Sequence, residues 1–191
     1  MSTSPTSLHE LLAHYVPTDD KEREDVARMR VFASELEQPF SRNQERAHFT
    51  GSAVVVDPSG ERVAMVHHAK VRRWLQPGGH AEEADAGSME ATALREAREE
   101  TGCRVRLHAR APRPLDVDVH TIPARKAGDR EHLHLDVRYL VVAENPEALA
   151  HDPGESLGAR WLTWDEALAQ AADEKALYRL LQKARAVARA G

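Results

Sequence analysis

Leu75-Gln76-Pro77-Gly78-Gly79 is followed, sixteen residues after Gly79, by Arg95-Glu96-Ala97-Arg98-Glu99-Glu100-Thr101-Gly102. The two stretches read as a glycine loop feeding a short helix. Positions i, i+3 and i+4 of a helix share one face, so a single turn presents Glu96, Glu99 and Glu100 together. Crowded carboxylates repel, by roughly 3 kcal/mol for a pair about 5–6 Å apart at an effective dielectric near 20. A divalent cation turns that cost into binding. Magnesium in particular takes hard oxygen ligands, a few carboxylates plus substrate phosphates. Gly78 and Gly79 carry no side chains and leave the backbone open to a phosphate or a metal. Thr92 and Ala93, one turn earlier, are small, and Arg95 reaches Glu99 at i+4. The competing reading of the helix alone is a solvated surface of intramolecular salt bridges.

Outward from this pair of stretches, the helix runs from about residue 88 to 101, with Ser88 as N-cap and Gly102 as its stop. Before it, residues 53–56 and 63–66 read as strands flanking the turn Asp57-Pro58-Ser59-Gly60. Earlier still, Leu8, Leu11 and Leu12 have helical spacing. Thr18 or Asp19 caps a second helix reaching about Glu37, with Val26, Met29 and Phe32–Ala33 as its apolar stripe. After the central helix come three alternating segments, 103–110, 115–120 and 131–138, which read as half-buried strands. The last two pair across residues 121–130. A short strand at 160–162 leads to helices at about 164–172 and 174–189. This order predicts an α+β fold with a mixed sheet rather than regular βαβ alternation.

Composition sets the outer limits. The chain has 191 residues, 41% of them hydrophobic, enough for one domain with an extension. A net charge of −5 provides no basic footprint for duplex nucleic acid. No apolar run approaches the roughly 18 residues of a membrane span. The N-terminus lacks the charged and apolar regions of a signal peptide. A single cysteine, Cys103, excludes an intrachain disulfide and a multi-cysteine metal site. The expectation is a soluble cytoplasmic protein.

The interval from Gly79 to Gly102 resembles the signature of the Nudix hydrolase superfamily. That signature is a glycine, five residues, a glutamate, seven residues, then Arg-Glu-aliphatic-x-Glu-Glu-x-Gly-aliphatic. Residues 95–102 match it, with Ala97 where a larger aliphatic is usual and Cys103 in the last position. The first half departs from it. Asp85 stands in the glutamate position and nine residues separate it from Arg95, so the loop is two residues longer. The segment Trp74-Leu75-Gln76-Pro77-Gly78-Gly79 also looks like the one that precedes the signature.

The resemblance implies a Nudix fold, a mixed β-sheet sandwiched between α-helices. Here it is divided into an N-terminal helical extension (1–47), the Nudix domain (48–172) and a C-terminal helix packed on it (173–191). It implies a metal-dependent pyrophosphohydrolase whose partner is a small-molecule nucleoside diphosphate derivative. By carry-over, Glu96, Glu99 and Glu100, helped by the Gly79 carbonyl, hold Mg2+ or Mn2+, and Arg95 orients them. Glu96 is the first choice of general base. Glu155, in the loop before Trp161, is the second. Two other readings within the superfamily are a non-catalytic ligand-sensing domain and an isopentenyl diphosphate isomerase. The isomerase relies on a cysteine before the signature, and Cys103 comes after it. The extension is acidic around residues 19–25 and carries no clear basic recognition helix. Its apolar stripe needs a partner, in this chain or, in a homodimer, on another.

Eleven histidines is a high count. His120, His132 and His134 lie on the polar faces of two strands expected to pair, with Asp116, Asp118 and Asp136 on the same faces. They read as a wet sheet face, as substrate contacts, or as ligands of zinc or another transition metal. His67, His68 and His80 flank the glycine loop, where substrate contact competes with a solvated turn. Lys70, Arg72 and Arg73 add positive charge there that attracts a polyphosphate. Trp74 is expected beneath the loop and Trp161 in the core. Trp164 and Tyr139 either stack on a base or pack in the core.

Overall fold

The computed structural model describes residues 7–124 and 130–190. Its first helices, α1 (Leu8–His14) and α2 (Asp20–Glu35), start at side-chain caps: Ser7 accepts from the Glu10 N–H, and Asp19 from the Glu22 N–H. Val26, Met29 and Ala33 of α2 are buried, and the apolar stripe finds its partner in the chain's own core. Strand β1 (Ala47–Val56) turns through residues 57–60 into β2 (Arg62–His68). Gly60 takes φ +72°, a conformation glycine adopts without strain, and its N–H closes the turn on the Asp57 carbonyl. There follow β3 (Trp74–Leu75), β4 (Gly78–His80), α3 (Met89–Thr101), β5 (Val105–Leu107), β6 (Asp116–Ile122), β7 (His132–Ala143), β8 (Ser156–Thr163), α4 (Trp164–Gln170) and α5 (Lys175–Arg189).

One sheet holds all the strands, in the order β3-β2-β1-β7-β5, with β8 on β2, β4 on β1 and β6 on β7. The central pair β1–β7 is parallel, from Ala47 opposite Leu133 to Val56 opposite Val142. The other pairings are antiparallel, which makes the sheet mixed, as expected. Odd-numbered positions of β1 and β7 (Phe49, Val55, Val137, Val141) pack beneath α1, α2 and α3. Even-numbered positions at the other end of these strands (Val54, Leu140, Val142) pack beneath Trp164 of α4 and Leu177, Leu180 and Leu181 of α5. Helices therefore cover both faces, the α+β Nudix arrangement. Each fully buried Leu or Phe contributes about 1.5–3 kcal/mol. No helix among the described residues is long and apolar enough to cross a membrane.

Three expectations need correction. The glycine stretch is not wholly loop: β4 pairs with β1, Gly78 opposite Ser52 and Gly79 opposite Gly51. Residues 103–110 form only the short β5, because the chain turns at His108, whose carbonyl accepts from the Ala111 N–H. The polar faces of β6 and β7 are not wet. Asp116, Asp118, Asp136 and Arg138 are each at most 4% exposed. Period-two alternation marks two chemically different faces, and here the second face is roofed by α5 instead of water. The expected pairing of these strands holds, with His120 opposite His134 and Ile122 opposite His132. Residues 125–129 of the connection lie outside the described residues.

Candidate active site

The site is assembled where α3 lies on the sheet. Ser88 caps its N-terminus by accepting from the Ala91 N–H, and Gly102 ends it at φ +67°. Between these ends the helix rests on Gly51 of β1. A Cβ there would stand 2.9 Å from the Met89 carbonyl and 3.0 Å from Thr92 Cβ. That close approach carries Glu96 and Glu100 down against β4. A Cβ on Gly79 would lie 2.5 Å from Glu96 Oε1, so the carboxylate fills the space a side chain would need. On the opposite side of the strand, a Cβ on Gly78 would collide with Ser52. The two glycines thus let β4 fit between Ser52 and Glu96. The Gly78 side is not open for phosphate approach.

Arg95 organises the acids. Its guanidinium donates to Asp85 Oδ2 (2.9 Å), Glu96 Oε1 (3.0 Å), Glu99 Oε2 (2.9 Å) and the His80 carbonyl (2.7 Å). Asp85 is buried and accepts as well from Thr92 Oγ1 (3.0 Å) and the Glu82 N–H (2.9 Å). Burial works against its charge, but Arg95 and these donors hold its carboxyl below the usual range. Asp85 therefore anchors the arginine from the signature position where a glutamate is usual.

Glu96 and Glu100 are each 8% exposed, whereas Glu99 points outward. Burial pushes Glu96 up to about 7 in spite of Arg95, with the Glu99 and Glu155 charges adding to the rise. Burial pushes Glu100 up to about 8, reinforced by Glu96, Glu155 and Asp152, while the neutral Gly78 N–H opposes it. Asp152 and Glu155 arrive on the β7–β8 connection. It is tied to the end of α3 by the Ala150 N–H to Thr101 carbonyl bond, and to the end of β2 by the Ala69 N–H to Glu155 carbonyl bond, both 2.9 Å. Oxygen donors crowded in this way, with their negative charge incompletely paired, suit a hard divalent cation. An ion at this site would lower both carboxyl pKa values and supply positive charge to a phosphate.

The sheet register explains the histidines. Across β6, β7 and β1, one row holds His120, His134 and His48, the next Asp118, Asp136 and Thr50, and the third Asp116, Arg138 and Ser52. His80 joins the first row from β4, where it pairs with Thr50. His48 had no signal in the sequence beyond its place two residues before Thr50. The apolar run that marks its strand in the sequence begins only at residue 53, and His48 lies outside it. His68 ends β2, its Nδ1 accepting from the Lys70 N–H at 3.3 Å. His67 stacks on Trp74 at 5.1 Å, and Arg73 pairs with Glu174. Trp164 and Tyr139, at 1% and 2% exposure, are core residues and not base-stacking surfaces, and Trp161 is only half-buried. Cys103 is buried and its thiol pushed up by burial, a packing residue.

Residues 47–183 match the NUDIX domain model. The chain belongs to the Nudix family and is a hydrolase acting on pyrophosphate bonds. Among solved structures, its fold is similar to a C. elegans Ap4A hydrolase binary complex (16% identity, TM-score 0.53, covering 71% of this chain and 93% of the other). It is likewise similar to a NUDIX-family hydrolase from Clostridium perfringens (22% identity, TM-score 0.51, 73% and 97% covered). No curated protein matches the chain.

Proposed function

We propose that this hydrolase is a metal-dependent pyrophosphohydrolase of a nucleoside diphosphate linked to another moiety, with water attacking a phosphorus of the diphosphate bridge. The observation that carries the reading is the burial of Glu96 and Glu100 side by side against β4, where the hydrogen bond to Glu100 comes from an uncharged N–H. Glu96, Glu99, Glu100 and the Gly79 carbonyl would hold Mg2+ or Mn2+. When bound, the ion neutralises phosphate charge and polarises the bridge. Arg95, fixed by Asp85, orients Glu96 and Glu99 and holds β4 through the His80 carbonyl. Glu96 takes the proton of the attacking water. Glu155, whose charge acts on both buried glutamates, is the alternative base. The Gly79 backbone and His68 make the substrate contacts, whereas His80, His120, His132 and His134 lie on the sheet face away from α3 and take no part in this reading. A small molecule, not duplex nucleic acid, is the partner of a chain with net charge −5. One buried cysteine agrees with a cytoplasmic setting, and a homodimer is the assembly that the family resemblance suggests.

The test is incubation with magnesium and a panel of nucleotide sugars, dinucleotide cofactors, oxidised nucleotides and dinucleoside polyphosphates. The panel includes Ap4A, named for the C. elegans relative. Products are read by mass spectrometry in 18O-labelled water. The expected result is one class split into a nucleoside monophosphate and a second phosphorylated product, one of them labelled. Failure to cleave any member with either Mg2+ or Mn2+ overturns the proposal.

A further inference from the structure

On the sheet face opposite α3, His48, His80 and His134 bring one ring nitrogen each to within 4.8 Å of the others. They come from three strands, and the register puts them there: His48 and His134 are paired across the parallel strands, and His80 is on the neighbouring β4. The central member is the telling one. His48 is 1% exposed; the Gln44 backbone acts on its ring, but neither Nδ1 nor Nε2 reaches a hydrogen bond of full geometry among the described residues. Its ring lies between those of His80 (4.9 Å), His134 (4.8 Å) and His132 (5.0 Å). A buried polar group left without a partner costs about 1–3 kcal/mol. Phe49, Val54 and Val56 of the same strand are buried at no such cost. A buried imidazole with a ring nitrogen within 4.8 Å of one on each of two other imidazoles is what a metal ion would satisfy.

We propose that His48, His80 and His134 form a second metal site, for a borderline transition ion of the zinc class, separate from the glutamate site on α3. Three imidazole nitrogens are the donor set of a tetrahedral zinc centre with one position open. Nitrogen donors favour zinc, cobalt, nickel or copper over magnesium. Bonds of about 2.0–2.1 Å put tetrahedral ligand atoms roughly 3.4 Å apart, so small ring rotations close the set. His132 and His120 border His134, with ring centroids at 5.4 and 5.5 Å. His120 is steered by Asp118, whose Oδ2 lies 2.9 Å from its Nδ1, the kind of carboxylate support found behind metal-bound histidines. Arg42 stands in the way: it donates to His80 Nδ1 at 3.1 Å, and from its exposed position it swings aside when an ion enters.

This site does not draw on the hydrolytic reading, and the test keeps the two apart. The full chain, stripped with a chelator, is titrated with Zn2+ by calorimetry and with Co2+ by visible absorption. Both are done in the wild type and in a Glu96→Gln/Glu100→Gln double variant that removes the oxygen site. The expected result is one zinc retained by the double variant, with the intense visible bands of tetrahedral cobalt. His80→Ala and His134→Ala in the same background lower zinc affinity at least tenfold, while their circular dichroism and metal-free melting match the parent. Arg42→Ala raises zinc affinity. His80 is the primary probe because it is only half-buried and its truncation leaves the core intact. The proposal is overturned if the double variant takes up no zinc, or if both histidine variants bind it as tightly as their parent.

Discussion

Two groups of carboxylates are buried on opposite faces of one sheet, and they are held in opposite ways. On the α5 face, Asp116, Asp118 and Asp136 surround Arg138. Its guanidinium donates to Asp136 at 2.8 Å, Asp118 at 3.1 Å and Asp116 at 3.4 Å. Arg179 adds two bonds of 2.9 Å to Asp116, and Lys183 an ion pair of 3.1 Å. Thr50 and Ser52 satisfy the remaining oxygens of Asp136. On the α3 face, Glu96 shares Arg95 with Asp85 and Glu99, Glu100 has no cation among its partners, and the two buried glutamates face one another's charge. Burial raises a carboxyl pKa in either place. His120, Arg138 and Lys21 reverse it for Asp118, which sits well below the usual range. For Glu100 nothing comparable does. Asp116, fully enclosed, is still pushed up by burial despite its cations. Completed pairing marks a structural cluster, and incomplete pairing is what the proposed cation at Glu96 and Glu100 would complete.

That contrast breaks most readily at Glu100. Glu100→Gln is expected to lower turnover by about three orders of magnitude, several kcal/mol of transition-state stabilisation. Chelated protein should melt no lower than wild type, because a neutral amide replaces a strained carboxylate. Wild-type turnover from this variant would remove the ligand assignment. The opposite cluster should behave in reverse. Arg138→Met leaves buried carboxylates unpaired and is expected to cost about 3–5 kcal/mol in urea unfolding. A neutral outcome would show that those aspartates do not need their arginine.

Asp85→Asn sharpens the comparison from within the active site. Losing the charge that anchors Arg95 should reduce turnover about 10–100-fold, in line with removal of groups that orient metal ligands. The smallest effect is one of pH. In chelated enzyme the carboxyls of Glu96 and Glu100 titrate near 7 and 8, above their unfolded value. Between that value and about pH 8 the native state binds more protons than the unfolded chain, so stability falls as pH rises. Melting scans in EDTA should show this decline, the Glu96→Gln/Glu100→Gln variant should flatten it, and saturating magnesium should reverse it. A flat wild-type profile would mean that the two carboxyls are paired after all.

What the residues disclosed unaided was what depends on neighbours in sequence. Ser88, Gly102 and the acids between them specify α3 within one helix length, and the structure places both caps where the composition predicts them. Asp85 could be matched to the signature only by allowing a longer loop, and its three-way hold on Arg95 gives that insertion a physical reason. The facing of His120 and His134 followed from a short connection. What stayed hidden was non-local. The parallel pairing of β1 with β7 joins residues 86 apart, and without it His48 has no visible companions. The cover over the aspartates comes from Arg179 and Lys183 of α5, 41 and 45 residues downstream of Arg138, so strand alternation alone suggests solvent.

The three residues of β4 have one further consequence. Gly79 backs onto Glu96, the next residue turns its imidazole to the far side of the sheet, and Arg95 grips the peptide carbonyl of that same His80. The strand is thus a rocker with a load at each end. With both proposed sites filled, a shift that seats one ion would alter the perch of the other, and any preference the first occupant imposed on the second would be returned in equal measure.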